Sequence, residues 1–201
     1  IGIYLVWLAI RDKKTHLSVI GVFEILVGLG SLLFHASSTH MGEVVDVSAM
    51  FLFSCYVVLF NTQRYLTYRF QPLNRNTLLL LYFLLSTTSI LVLIFLRAGF
   101  GIVLFACQVV LGAHLEARMY REYRQPINYQ PLIYLIICFG IAWSCWWIDL
   151  LKIGCNPDNH ILQGHSIWHL ANAFCFYFLY QFYKQLDFNP LSETTQKSEN
   201  K

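Results

Sequence analysis

Seven apolar segments, separated by short polar or charged stretches, follow one another along this chain. Most are close to the roughly 20 residues that a helix needs to cross the hydrocarbon core of a bilayer. The pattern predicts seven membrane-spanning helices, over about residues 1–10, 17–36, 44–65, 77–96, 100–115, 131–151 and 164–183. The first segment is short and opens directly on Ile1, so we expect it to be the remainder of a truncated helix.

The segments form one predicted domain, a seven-helix transmembrane bundle over residues 1–185. Residues 186–201 follow as a polar tail. Its last part, Ser192–Lys201, has no hydrophobic periodicity and no apolar surface to bury, which is typical of disordered chain.

The composition agrees with a membrane-embedded chain. Hydrophobic residues make up 57% of the sequence and charged residues only 12%, about half the roughly 25% of soluble domains. The net charge is only +3, and no strongly basic patch appears, which argues against a nucleic-acid partner. We therefore expect a multi-pass integral membrane protein, of the all-α class, whose partners are the bilayer and a lipid.

The distribution of Lys and Arg predicts the orientation of the helices. The predicted loops place four groups of three basic residues on one side of the bundle, and leave Arg97 and Lys152 on the other. Basic residues collect on the cytoplasmic side of membrane proteins. The C-terminus is therefore predicted to be cytoplasmic and the N-terminus outside or lumenal. The basic groups are Arg11, Lys13, Lys14; Arg64, Arg69, Arg75; Arg118, Arg121, Arg124; and Lys184, Lys197, Lys201.

Five polar residues stand inside or at the edge of apolar segments and are predicted to meet in one site. Ser31 and His35 are four positions apart on the second helix, so they share a face. His165 and His169 have the same spacing on the seventh helix. Asp46 opens the third helix. The predicted topology brings all five to one depth, near the outer ends of their helices.

These residue types together indicate a catalytic metal centre. Ionisable side chains inside a membrane are costly and by default mark a functional site. Three imidazoles with an open fourth position suit catalytic zinc, so His35, His165 and His169 are the predicted zinc ligands. Asp46 is expected to accept a proton from the attacking water and pass it to the leaving group. Ser31 is expected to donate a hydrogen bond to the developing oxyanion or to orient the water.

Other polar residues are expected to have less direct roles. Glu24 shares the helix stripe of Ser31 and is expected to form structural or cavity hydrogen bonds. Asp149 is expected to support the site or to be structural, and Glu43 either supports Asp46 or faces the outer loop. Two histidines are placed in outer loops and two further residues at the inner end of the fifth helix, away from the site: His40 and His160; His114 and Glu116.

These motifs resemble the alkaline ceramidase family. The shared pattern is Ser-x3-His, then His-x10-Asp, then His-x3-His on the last helix, here Ser31 to His35, His35 to Asp46, and His165 to His169. The string Gly-Ser-Leu-Leu-Phe-His-Ala at 30–36 is similar to the ceramidase string GS-x2-FHA. The wider superfamily of seven-helix membrane hydrolases and receptors also holds adiponectin-type receptors and Per1-like proteins.

Two features separate this chain from the usual ceramidase pattern, and a third agrees with it. Ceramidases usually follow the aspartate with Glu-Leu-Pro-Met, whereas this chain has Val-Ser-Ala-Met at 47–50, and 43–46 is closer to the Per1-like pattern. The long interval from Asp149 to His165 is similar to ceramidases. Calcium is possible as a second ion, but the acidic segment that binds it in animal alkaline ceramidases would precede Ile1, and nothing in this chain matches it.

The residues themselves imply metal-assisted hydrolysis of an apolar substrate, and the resemblance supplies the substrate. It implies a zinc-dependent intramembrane amidase that hydrolyses ceramide-like N-acyl sphingolipids to a fatty acid and a sphingoid base. One alternative is a related, Per1-like hydrolase that acts on another amide or ester lipid. Another is a receptor-like or structural seven-helix protein in which zinc only ties the second and seventh helices together.

Overall fold

The computed structural model of the chain describes residues 1–96, 98–123, 126–153 and 164–191. Within these ranges the protein is all-helical, with seven α-helices, a short 3-10 turn at Thr15–Leu17, and no strand. The all-α prediction is thus confirmed. The helices are α1 (Gly2–Arg11), α2 (Ser18–Ser37), α3 (His40–Arg69), α4 (Arg75–Phe95), α5 (Ala98–Tyr123), α6 (Gln130–Leu150) and α7 (Gly164–Tyr183).

Five of the described helices are long and apolar enough to cross a membrane, namely α2 with its preceding turn, α3, α4, α5 and α6. The ten-residue helix α1 is apolar but shorter, and α7, with 20 residues, is not one of the five. The structure thus supports a membrane-embedded protein. The count of seven spans and the orientation of the termini stay predictions.

The third and fifth helices extend well beyond their apolar segments. α3 begins at His40 and ends at Arg69, and α5 continues to Tyr123. At the start of α3 the Thr39 side chain accepts a hydrogen bond from the Gly42 amide at 3.1 Å, which caps the helix. Counting Arg64 among the loop residues was wrong: it lies inside α3, within the predicted segment 44–65, and it is buried.

The contacts divide the chain into two compact units. The first contains residues 1–26 and 126–187, and the second contains residues 27–125 and those from 188 onward. In the first unit α6 and α7 pack along each other and α1 contacts α7. In the second unit α3 packs against both α4 and α5. The predicted disordered segment 192–201 lies outside the described residues.

In the first unit, polar contacts of Asp12 with Tyr180 and Lys184 join the C-terminal ends of α1 and α7. Asp12 accepts a hydrogen bond from the Tyr180 hydroxyl at 3.0 Å and lies 3.4 Å from the Lys184 ammonium. The neighbouring Arg11 guanidinium, 2.8 Å away, is the main cause that lowers the pKa of the Asp12 carboxyl from its ordinary value. With their C-terminal ends joined, the two helices run in the same direction.

Interhelical hydrogen bonds stabilise the second unit. Gln108 of α5 accepts from the Ser54 hydroxyl of α3 at 2.5 Å and donates to the Ser89 hydroxyl of α4 at 2.8 Å. Further along the same seam, the Arg64 guanidinium of α3 donates to the Glu116 carboxylate of α5 at 2.6 Å. Buried polar groups in apolar surroundings need such partners, so these contacts fix the alignment of α3 against α5.

Candidate metal and catalytic site

In the second unit, a tight hairpin of α2 and α3 carries three of the predicted residues. Only Ser38 and Thr39 separate the two helices, and Ser38 adopts a left-handed backbone conformation with φ 49°. The chain therefore reverses at once after His35, and the second turn of α3, with Asp46, returns beside α2. Asp46 and His35 are close enough for their charges to interact.

A glycine brings Asp46 into contact with the turn of α2 that carries Ser31. A methyl group placed on Gly30 would lie 2.9 Å from the Cα atom of Asp46 and 3.2 Å from its nitrogen. Such a distance is too short for two carbon atoms, so only glycine lets the two backbones approach this closely. Ser31 is buried, Asp46 is half-buried and His35 is exposed.

We expect Gly30→Ala to separate the two helices and Gly28→Ala to be harmless. The added methyl at position 30 meets the α3 backbone, which cannot rotate away, so we expect a loss of about 1–3 kcal/mol in unfolding free energy, with reduced activity. A methyl at position 28 would meet no described atom within 4 Å. Because alanine favours helices over glycine by up to about 1 kcal/mol, Gly28→Ala should match or exceed the wild type.

Thermal unfolding of the two purified variants in detergent, beside their turnover, checks this expectation. The two changes are the same in chemistry and lie two positions apart on one helix, so helix propensity cancels in the comparison. Equal melting temperatures for both variants would contradict the role given to the Gly30 contact.

In the first unit, the first turns of α7 carry the paired histidines. The rings of His165 and His169 have centroids 4.7 Å apart at an interplanar angle of 74°, and both residues are half-buried. A methyl on Gly164 would lie 2.5 Å from the Cys145 carbonyl oxygen, so α7 begins in close contact with the backbone of α6. The sequence reasoning missed this contact, although a glycine directly before His165 was its signal.

The paired imidazoles suit a metal ion such as zinc. Two histidines one turn apart on one helix face can both direct a ring nitrogen to a single ion. Each unit thus brings its own predicted residues together: His165 and His169 in the first, and Ser31, His35 and Asp46 in the second. That the two sets form one centre stays a prediction.

The less direct candidates also have defined places. His40 is the first residue of α3, and its ring nitrogen lies 3.4 Å from the Glu43 carboxylate, so Glu43 has a partner at the start of the same helix. The Cβ atom of Asp149 lies 3.0 Å from the position of a methyl on Gly164, beside the start of α7. Glu24 is half-buried within α2. His160 lies outside the described residues.

The comparisons with known proteins give a consistent result. A profile of the family described as Ceramidase matches residues 1–200. The protein named Alkaline ceramidase 1 from Homo sapiens is 25% identical over 171 residues, which cover 83% of this chain and 62% of that protein. The Arabidopsis thaliana protein named Alkaline ceramidase is 24% identical over 176 residues, covering 83% of this chain and 64% of that protein.

The matched part of this chain therefore spans somewhat less than two thirds of the length of these two relatives. No solved structure matches the chain significantly.

Proposed function

Because this chain belongs to the ceramidase family, we propose that it is a zinc-dependent intramembrane lipid amidase. It hydrolyses ceramide-like N-acyl sphingolipids to a fatty acid and a sphingoid base. The observation that carries the proposal is the pair of imidazoles at 4.7 Å on α7, in a chain of this family whose helices suit a membrane.

In this proposal the zinc ligands are His35, His165 and His169. All three offer neutral imidazole nitrogens, and three protein ligands leave the fourth tetrahedral position for water or substrate. When bound, zinc supplies two effects, a lower pKa of the coordinated water, towards about 7, and polarisation of the substrate carbonyl.

Asp46 and Ser31 supply the proton transfer and the oxyanion contact. The Asp46 carboxylate accepts a proton from the attacking water as the new carbon–oxygen bond forms. It then delivers this proton to the amide nitrogen as the carbon–nitrogen bond breaks, so the sphingoid base leaves as an amine. The Ser31 hydroxyl donates a hydrogen bond to the carbonyl oxygen while that oxygen carries negative charge.

The membrane arrangement belongs to the same proposal. We place the N-terminus outside or in a lumen and the C-terminus in the cytoplasm, with α1 and α7 crossing in the same direction. The hydrogen bond from Tyr180 to Asp12, which joins the C-terminal ends of the two helices, supports this arrangement. The exposed apolar side chains of α2 to α6 then face lipid, so the substrate reaches the site from within the bilayer.

The test is fatty-acid release by the purified full chain from a ceramide and from a glycerolipid with the same acyl chain. We expect release from ceramide only, a loss of more than about a hundredfold after chelation, and recovery with zinc but not with calcium alone. Release from the glycerolipid only would replace the substrate and keep a lipid hydrolase. Bound zinc without turnover on either lipid would favour the receptor-like or structural protein.

A further inference from the structure

A cluster of aromatic rings in the first unit holds α7 against α6 beside the paired histidines. Trp168 of α7 is only 8% exposed, and three rings of α6 surround it. Its centroid lies 6.0 Å from that of Trp143, 6.2 Å from Trp146 and 6.3 Å from Phe139. The α6 residues follow a spacing of four and three, so they form one stripe that faces α7.

The three aromatic rings of α6 also contact one another. The Trp143 and Trp146 rings lie 5.6 Å apart, and Phe139 lies 5.8 Å from Trp143. Aromatic pairs at such distances contribute roughly 0.5–1.5 kcal/mol each beyond the area they bury. Trp168 therefore sits in a stiff aromatic cradle, here defined as Phe139, Trp143 and Trp146.

The position of Trp168 in the sequence links this cradle to the histidines. It directly precedes His169 and follows His165 by three residues, so both imidazoles lie within about one turn of it. When the indole is fixed, the rotation of α7 about its own axis is fixed as well. The contact of Gly164 with the Cys145 carbonyl holds the same helix one turn earlier.

The geometry of metal binding makes this rotation important. A side chain reaches roughly 5–6 Å from the helix axis, so a rotation of about 15° moves its tip by about 1.4 Å. Metal–ligand distances tolerate only about 0.2 Å. A small rotation of α7 would therefore shift both ring nitrogens out of bonding range together, a change that side-chain rotation corrects only in part.

We propose that Trp143 and Trp146 are positioning residues that set the metal affinity of His165 and His169 through Trp168. The inference rests on the proposed zinc site and adds to it, because the cradle residues act through their contact with Trp168 and not as ligands. Its removal weakens metal binding because the helix that carries two ligands loses its fixed rotation.

The chain offers a matched control in Trp147. This residue is the next tryptophan on α6 but is 40% exposed, and its ring contacts Trp146 at 5.3 Å and Trp143 at 6.5 Å. Among the ring contacts of the described residues, none joins Trp147 to Trp168. Truncating it removes a similar aromatic area from the same helix without removing a wall of the cradle.

The experiment compares Trp143→Leu, Trp146→Leu and Trp147→Leu in the purified full chain. Zinc affinity is measured by competition with a chromophoric chelator, and the melting temperature is measured on the metal-free protein. We expect the two cradle variants to bind zinc at least about tenfold more weakly, as when supporting residues of metal sites are removed. Trp147→Leu should keep the wild-type affinity. Trp143→Phe and Trp146→Phe keep a smaller ring and should lose only about threefold in zinc affinity. If a leucine variant does not fold, this intermediate loss against an unchanged Trp147→Phe is the test.

The outcomes separate the possible failures. Lower melting temperatures with unchanged zinc affinity would make the cradle ordinary packing and overturn the inference. An equal loss of affinity in Trp147→Leu would overturn it too. A wild-type protein that binds no zinc would refute the proposed metal centre, and the inference would fall with it.

Discussion

Asp46→Asn should leave zinc bound and lower kcat by about 10²- to 10⁴-fold, the usual contribution of a positioned acid–base group. Asparagine has nearly the shape of aspartate and keeps the close α2–α3 contact at Gly30, but its amide cannot accept and return a proton. The binding of ceramide should change little, since the apolar chains supply most of its affinity. Metal analysis of the purified variant, together with kcat and KM, checks the prediction.

Two further variants define what the Asp46 result means. His169→Ala should lose zinc and turnover together, because it removes a proposed ligand. Glu43→Gln removes an acidic group one turn earlier on α3, which is partnered by His40, and should keep activity within about threefold. Loss of zinc in Asp46→Asn would instead move Asp46 into the ligand set, whereas retained turnover would assign the proton transfer to another group.

The helix content could be predicted from the sequence because long apolar runs leave the backbone no alternative in lipid. The bounds of α7 agree with the predicted segment at both ends. The ends of α3 and α5 did not follow the apolar runs, since polar residues continue a helix as readily as apolar ones. Proline limits them instead: α3 ends three residues before Pro72 and α5 ends three residues before Pro126, and proline disfavours a helical residue before it.

Two of the local arrangements follow from the sequence, because Ser31 with His35, and His165 with His169, each lie within one helix, where a spacing of four fixes a common face. Contacts between helices have no such period. The approach of Gly30 to Asp46 and the packing of Trp168 in the cradle join positions far apart in sequence. A single sequence shows a glycine or a tryptophan but not the surface that it meets.

The Arg64–Glu116 pair is the clearest example of a contact that could not be predicted from the sequence. The two residues are 52 positions apart, their side chains are 1% and 4% exposed, and the charged atoms lie 2.6 Å apart. Glu116→Gln should lower the unfolding free energy by about 3–5 kcal/mol, because it leaves a buried guanidinium without its counter-charge. The Nε atom of Arg64 already has no hydrogen-bond partner among the described residues, so a second lost contact is hard to replace.

Glu122→Gln provides the matched control for chemical unfolding in detergent. Glu122 pairs with Arg118, one turn earlier on α5, at 2.7 Å, but these side chains are 34% and 47% exposed, and exposed pairs contribute little to stability because water screens them. The double variant Arg64→Met/Glu116→Leu should recover much of the stability, since apolar replacement of a buried pair is often neutral or stabilising. If the double variant stayed as unstable as Glu116→Gln, the loss would come from α3–α5 packing and not from an unpaired charge. Recovery would show that the loss in Glu116→Gln comes from the unpaired Arg64 guanidinium and not from lost α3–α5 packing.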